Sequence, residues 1–281
     1  MSVSLSILDH RLHTYGRERS YEHDARIVDF HQTLLGLYDK EFDEQYLKQG
    51  AQNTFSHMGE VLLSRLQTDH DLQDVDLLVL GHCTPDINIW EAVVNRLIYQ
   101  FDLKQATGFA ISDRGGGTPY TALKVIRQYM HHHGKRKAVL LLLDQFTLPN
   151  YEPVIHQTDV QDTGFVMLLD QETDHKPKVI QVDTVSFKEY GGLSLEDWID
   201  AQRKKLHIAK QDLLVINHSS DRLADPQVEQ VLLPDQDLVV PPLKAWCDHA
   251  HKPYTLLCHY DQKRQFLLGV WIQAEEGEVC G

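Results

Sequence analysis

No two of the four cysteines in this 281-residue chain, at 83, 247, 258 and 280, form a close Cys-x-x-Cys pair. Neither a disulfide framework nor a zinc site is therefore expected. No apolar run approaches the ~18–20 residues of a membrane span. The opening segment, 1–16, mixes Asp9, His10, Arg11 and His13 into its apolar residues and has no signal-peptide core, so a cytoplasmic protein is expected. Cations are scarce as well: 27 Lys and Arg stand against 41 Asp and Glu, a net charge of −14. That balance argues against nucleic acid as the main partner, because phosphate binding needs clustered cations. Repeats, low-complexity tracts and Pro/Gly-rich linkers are absent. The 42% hydrophobic content suffices for a substantial core, in one large domain or two fused halves.

The apolar residues that are present fall into short continuous runs. Leu77–Leu80 follows Asp76, Ala138–Leu143 precedes Asp144, and Leu213–Ile216 precedes Asn217. Runs of this kind predict strands covered on both faces, in a largely parallel sheet flanked by helices. Helical spacing joins Ala122, Val125, Ile126, Tyr129 and Met130, with Gly134 as the stop; it also marks Leu62–Leu66 and Trp90–Leu103. The first half thus reads as alternating β and α. Further strands are expected at Gly164–Leu169 and Val179–Val185. A helix follows at Leu195–Leu206, N-capped by Ser194, with another at Leu243–His249 and a closing hairpin of Tyr254–Tyr260 and Phe266–Ile272. The division between halves is set at residues 1–180 and 181–281.

Phe109–Ser112 reads as a strand end. Asp113, Arg114, Gly115, Gly116 and Gly117 follow, then Thr118 as expected N-cap and Pro119 as first helical residue. Such a turn either lets strand and helix pack closely or presents N–H groups to an anion, an oxyanion or an acyl chain. A phosphate loop lacks its Gly-Lys-Ser/Thr, and GGG is not the dinucleotide GxGxxG. His218, just past the strand at Leu213–Ile216, suits a base or hydrogen-bond donor, or is one structural histidine among 17. His131–His133 stand at a helix end, where they complement its dipole. His10/His13 and His249/His251 have no companions for a metal site, and none is expected.

Taken in order, these segments resemble the ketoacyl-acyl carrier protein synthase III branch of the thiolase-like superfamily. Val75–Asp86 is similar to that family's strand and Thr-Pro-Asp loop. Phe109–Tyr120 is similar to its strand and nucleophile turn, Lys137–Asp144 to its next strand, and Asp162–Leu169 to its Asp-Gly-Ala strand entry. Asp212–Leu223 resembles the segment carrying the family's active-site histidine, which falls on His218, and Pro242-Leu243 with the final hairpin resembles its last helix and strands. The likeness spans about residues 55–273. It implies two similar α/β halves in a five-layer αβαβα arrangement, usually dimeric. It also implies departures. Gly115 (or Gly116, one residue on) stands where the family has its nucleophilic cysteine, and glycine forms no thioester. Leu233–Asp237 holds no asparagine, and Cys258–Lys263 replaces a glycine-rich loop.

The resemblance implies a protein of acyl or polyketide-type biosynthesis that takes an acyl-CoA or acyl carrier protein thioester and binds no cofactor. One reading is a supporting subunit paired with a cysteine-bearing synthase-like partner, or with itself. A second is an acyltransferase in which His218 acts as base and Gly115, Gly116 and Gly117, with Ser112 and Arg114, hold an oxyanion or substrate; Cys83 is its alternative thiol. Arg114 orients a carboxylate or pairs with Asp113. A third is a protein that only binds an acyl ligand or carrier. Two cationic runs, Arg203-Lys204-Lys205 and Lys135-Arg136-Lys137, are either docking patches for an acidic carrier protein or ordinary solvated faces.

Overall fold

The computed structural model describes residues 4–274 apart from 113, 157–159, 174–176, 187–193, 219–221, 235–236 and 262–263. The first half runs β1 (Leu5–Thr14), α1 (Ala25–Gly36), α2 (Glu44–Gln49), α3 (Phe55–Asp69), β2 (Leu77–His82), α4 (Val93–Gln100), β3 (Thr107–Ile111), α5 (Thr118–His133), β4 (Lys137–Asp144), α6 (Pro153–His156) and β5 (Thr163–Asp170). The second runs β6 (Lys178–Ser186), α7 (Leu195–Lys205), β7 (Leu213–His218), β8 (Glu229–Leu232), α8 (Pro241–His249), β9 (Tyr254–Asp261) and β10 (Phe266–Gln273). Local chemistry sets several ends. Ser194 and Asp197 form a reciprocal capping box on α7, and Gly134 closes α5 in the left-handed region. α4 is shorter than its pattern, and Trp90 lies outside it, exposed.

The strands hydrogen-bond in the order β3-β2-β4-β5-β1-β6-β10-β9-β7-β8. Within each half the order is third, second, fourth, fifth, first, with the same directions, so the second half repeats the first. The β1–β6 pairing is a short antiparallel seam between them. The expectation of a largely parallel sheet is corrected: only β2–β3, β2–β4, β7–β8 and β7–β9 are parallel. The antiparallel β5 is as deeply buried as β4, so its apolar run carries no sign of direction.

Three hydrophobic clusters join five layers, the middle one packing the central helices against strands of both halves. α3 and α4 pack on the outer face of the first half through Leu62, Leu66, Leu97 and Val139. α5 and α8 lie in the middle, where Leu123, Ile126, Leu243 and Trp246 share one core with strands of both halves. α5 touches β2 and β4 on one side and β6 and β10 on the other. Trp198 and Ile199 of α7 cover the far face of the second half, against Leu213, Val215 and Trp271. Among the described residues α1 and α2 have no counterpart in the second half. They lie across the end of the sheet where β2, β4 and β9 finish.

Candidate functional site

The repeat brings two β-to-α turns face to face. One joins β3 to α5 and contains the glycines; the other joins β8 to α8 and contains Asp237. Gly115–Gly117 form a single 3₁₀ turn that runs straight into α5. Gly117, not Thr118, is the N-cap; Thr118 is already helical and fully buried. The Gly117 N–H is taken by the Arg114 carbonyl at 3.0 Å. Among the described residues the Gly115 and Gly116 N–H groups meet no backbone acceptor. Gly115 has φ +52°, and a Cβ there would lie 2.2 Å from Asp237 Oδ1. The Asp237 carboxylate thus fills the space into which a side chain at 115 would project.

Cys83 fixes the turn from below. Its Sγ donates to the Gly115 carbonyl at 3.0 Å and lies 3.5 Å from Thr118 Oγ1. The Thr84–Asp86 loop is itself anchored. The Pro85 carbonyl accepts from Gln145 Nε2 at 2.5 Å, and Asp86 Oδ1 accepts the Phe55 N–H at 3.1 Å, at the start of α3. Burial pushes the Asp86 carboxyl up to about 6.

The ends of β4 and β9 serve the opposite halves. Asp144, at the end of β4, accepts the N–H groups of Val239 and Val240 at the start of α8, at 3.0 and 2.8 Å. It is 1% exposed, and burial pushes its carboxyl up to about 7. On β9, His259 faces the glycine turn: a Cβ on Gly117 would lie 4.0 Å from its Nε2. Its Nδ1 is 3.0 Å from the His218 backbone carbonyl, which only accepts, so Nδ1 carries the proton. In the neutral ring Nε2 is therefore the basic nitrogen, held toward the turn. His218 pairs with His259 across β7 and β9 with ring centroids 4.9 Å apart, but it is 1% exposed and lies behind His259. Tyr120 stacks on His259 with ring centroids 6.0 Å apart.

A cavity of about 950 Å³ opens in front of the turn. Cys83, Arg114, Gly115, Asp237 and His259 line its floor, and His218 does not line it. Arg114 is exposed and forms no ion pair with a described residue; Asp113, its candidate partner, lies outside the described residues, as do parts of the 233–237 and 258–263 stretches. Leu34 and Leu35 of α1 and Leu148 and Ile155 from the β4–β5 connection form the upper walls. A Lys40–Glu152 ion pair joins these walls at the rim. Ser112 is exposed just past β3.

The two cationic runs stand away from this site, at the opposite end of the sheet. Lys135, Arg136 and Lys137 lead into β4, and Arg203, Lys204 and Lys205 end α7, ahead of β7. Most of their charge is already answered within the chain. Lys135 pairs with Asp76 at 3.4 Å, Arg136 with the buried Asp170 at 3.3 Å, and Lys137 with Asp74 at 2.5 Å. Arg203 and Lys204 share Asp200, the latter at 2.7 Å, while Lys205 is exposed. His259, Asp237 and His31 of α1 carry no signal in the sequence that marks them as cavity residues. No spacing marks them: packing of the second half on the first brings Asp237 and His259 to the glycines, and α1 of the first half brings His31 to the same cavity.

No protein-family model matches the chain, and no curated protein matches it. Solved structures do match in fold. A tetronic acid condensing enzyme aligns with a TM-score of 0.63 at 14% identity, over 96% of this chain and 100% of its own. The β-ketoacyl-[acyl carrier protein] synthase III of Thermus thermophilus aligns at 0.61 and 13%, over 97% and 100%. The 3-oxoacyl-(acyl carrier protein) synthase III of Pseudomonas aeruginosa aligns at 0.60 and 11%, over 96% and 98%. The chain has the α/β, five-layer thiolase-like fold seen in ketoacyl-acyl carrier protein synthases III.

Proposed function

We propose that the chain is a ketoacyl synthase III-like protein of acyl or polyketide-type biosynthesis that binds an acyl thioester in front of the glycine turn and transfers the acyl group without an acyl-enzyme at position 115. The observation that carries this reading is the Asp237 carboxylate in the space of a residue-115 side chain. The thioester oxygen rests on the Gly115 and Gly116 N–H groups, which stabilise the charge that develops on it. Arg114 steers the anionic carrier or coenzyme to the mouth. His259 Nε2 takes the proton from the hydroxyl or amine of an acceptor as its oxygen or nitrogen bonds to the carbonyl carbon. As the C–S bond breaks, the imidazolium returns that proton to the departing thiolate. In this reading His218 positions His259 through its carbonyl, and Cys83 keeps its thiol on Gly115.

Intact-mass measurement after incubation with acyl-CoA, together with thiol release in the presence of candidate acceptors, tests this. The expected outcome is turnover with no mass increase, lowered at least about a hundredfold in His259→Gln. An acyl adduct on Cys83 overturns it.

One observation favours a second reading, a supporting subunit in a dimer with itself or with a cysteine-bearing synthase-like protein. β3 is an edge strand, and the large side chains of Trp90 and Tyr99 stand exposed on the connection leading to it. Co-expression with such a partner and native mass measurement distinguish the two readings: a mixed dimer acylated only on the other chain supports the subunit.

A further inference from the structure

The roof of the cavity carries a polar group that the fold leaves unexplained. His31, on the inner face of α1, is 2% exposed and lines the cavity beside Leu34 and Leu35. Its Nε2 is buried, and among the described residues nothing hydrogen-bonds to it. Burial lowers its pKa, so the ring is neutral and offers one N–H and one lone pair. A buried polar nitrogen without a partner costs folding stability. A leucine or phenylalanine would fill the same place without that cost, as the neighbouring walls do with Leu148 and Ile155. His31 on α1 and Gly115 in the glycine turn border the same cavity from different elements, so a ligand that fills it meets both. The cavity volume, near the upper end for small-molecule sites, leaves room for such a ligand.

We propose that His31 binds an oxygen substituent carried along the acyl chain, so that the cavity selects a hydroxylated or keto-bearing acyl thioester over a plain fatty acyl one. The proposal rests on the reading that the cavity holds an acyl thioester, and it adds the substrate class. A hydroxyl both donates and accepts, so it satisfies either tautomer of the ring; a keto oxygen accepts from the N–H. Plain methylenes would leave the nitrogen unpaired, which is how a site built around a polar contact rejects the analogue that lacks it.

Calorimetry on the full chain tests this with unreactive thioethers: S-decyl-coenzyme A and a series of its monohydroxylated isomers. The expected result is that at least one isomer binds about tenfold tighter than the plain thioether, the effect of one added hydrogen bond. His31→Phe removes that preference and leaves the plain thioether within about threefold; His31→Gln, which keeps hydrogen-bonding atoms, retains part of it. If no isomer gains over the plain thioether, or the preference survives in His31→Phe, the substrate-class proposal is overturned while the cavity reading stands. Should His31→Phe fail to fold, the wild-type isomer series and His31→Gln decide. If neither type of thioether binds, the cavity reading itself falls, and this proposal with it.

Discussion

Asp144 shows how a single buried carboxylate couples the two halves. It ends a strand of the first half and holds the first amides of a helix of the second, and desolvation raises it to about 7. Because the folded pKa lies above the unfolded one, the stability contribution is fully present below about pH 4 and is lost as pH rises through 7. Chemical denaturation from pH 4 to 8 should therefore show Asp144→Asn gaining on the wild type by up to about 4 kcal/mol across that window. A constant difference between the two proteins would show that the group does not titrate there. Gly115 is constrained in another way. With φ +52° and Asp237 Oδ1 in the place of a Cβ, Gly115→Ala should lose about 1–3 kcal/mol. Asp237→Ala should recover only part of that in the double variant, since the backbone strain persists. Equal stability of Gly115→Ala and wild type in a urea melt would contradict this geometry.

At the scale of elements, α1 and α3 differ in how they are held. α3 buries seven residues, including Phe55, Met58 and Leu62, whereas α1 buries His31 and Leu35 and is fastened near its end by the Lys40–Glu152 pair at the rim. An exposed ion pair of that kind contributes about 1 kcal/mol or less. Hydrogen exchange should accordingly reach α1 amides at least about tenfold faster than those of α3. A thioether bound in the cavity should slow α1 and leave α3 unchanged. Equal protection of the two helices in the free protein would mean that α1 is part of the rigid core. The pairing of buried strands with amphipathic helices was legible in the sequence, because continuous apolar runs and 3.6-residue spacing are local signals. Strand direction was not: a strand buried on both faces looks the same whichever way its neighbour runs, and β5 and β10 are antiparallel. The cationic runs were legible as runs, but their partners were not. Arg136 meets Asp170 only because β4 pairs with β5, whereas Lys204 finds Asp200 within its own helix.

At the scale of the molecule, the repeat leaves β3 and β8 as the two edges of the sheet. β8 is short, with charged Glu229 at its start, while β3 carries Thr107 and Ala110 outward with no charge among its residues. An uncharged edge is the better template for a second chain. If β3 is the interface of a dimer, Ala110→Lys places like charges across the seam and should shift the assembly toward monomer in native mass spectrometry. A dimer untouched by that change would place the contact elsewhere.

The sequence by itself determined the layered α/β class, the positions of most strands and helices, the capping of α7 and the glycine turn, because each is written in residues close together along the chain. The turn's composition also excluded a nucleophile at 115. The tertiary structure alone decided what surrounds that turn. Asp237 and His259 come from the other half of the repeat, more than a hundred residues away. His31 comes from a helix added to the first half only. His218, the histidine that local pattern singled out, is buried beside His259 on the neighbouring strand, and His259 is the one that lines the cavity. Packing of one half against the other, through the shared core around α5 and α8, places Asp237 and His259, and the seating of α1 over the first half places His31; no local periodicity encodes either.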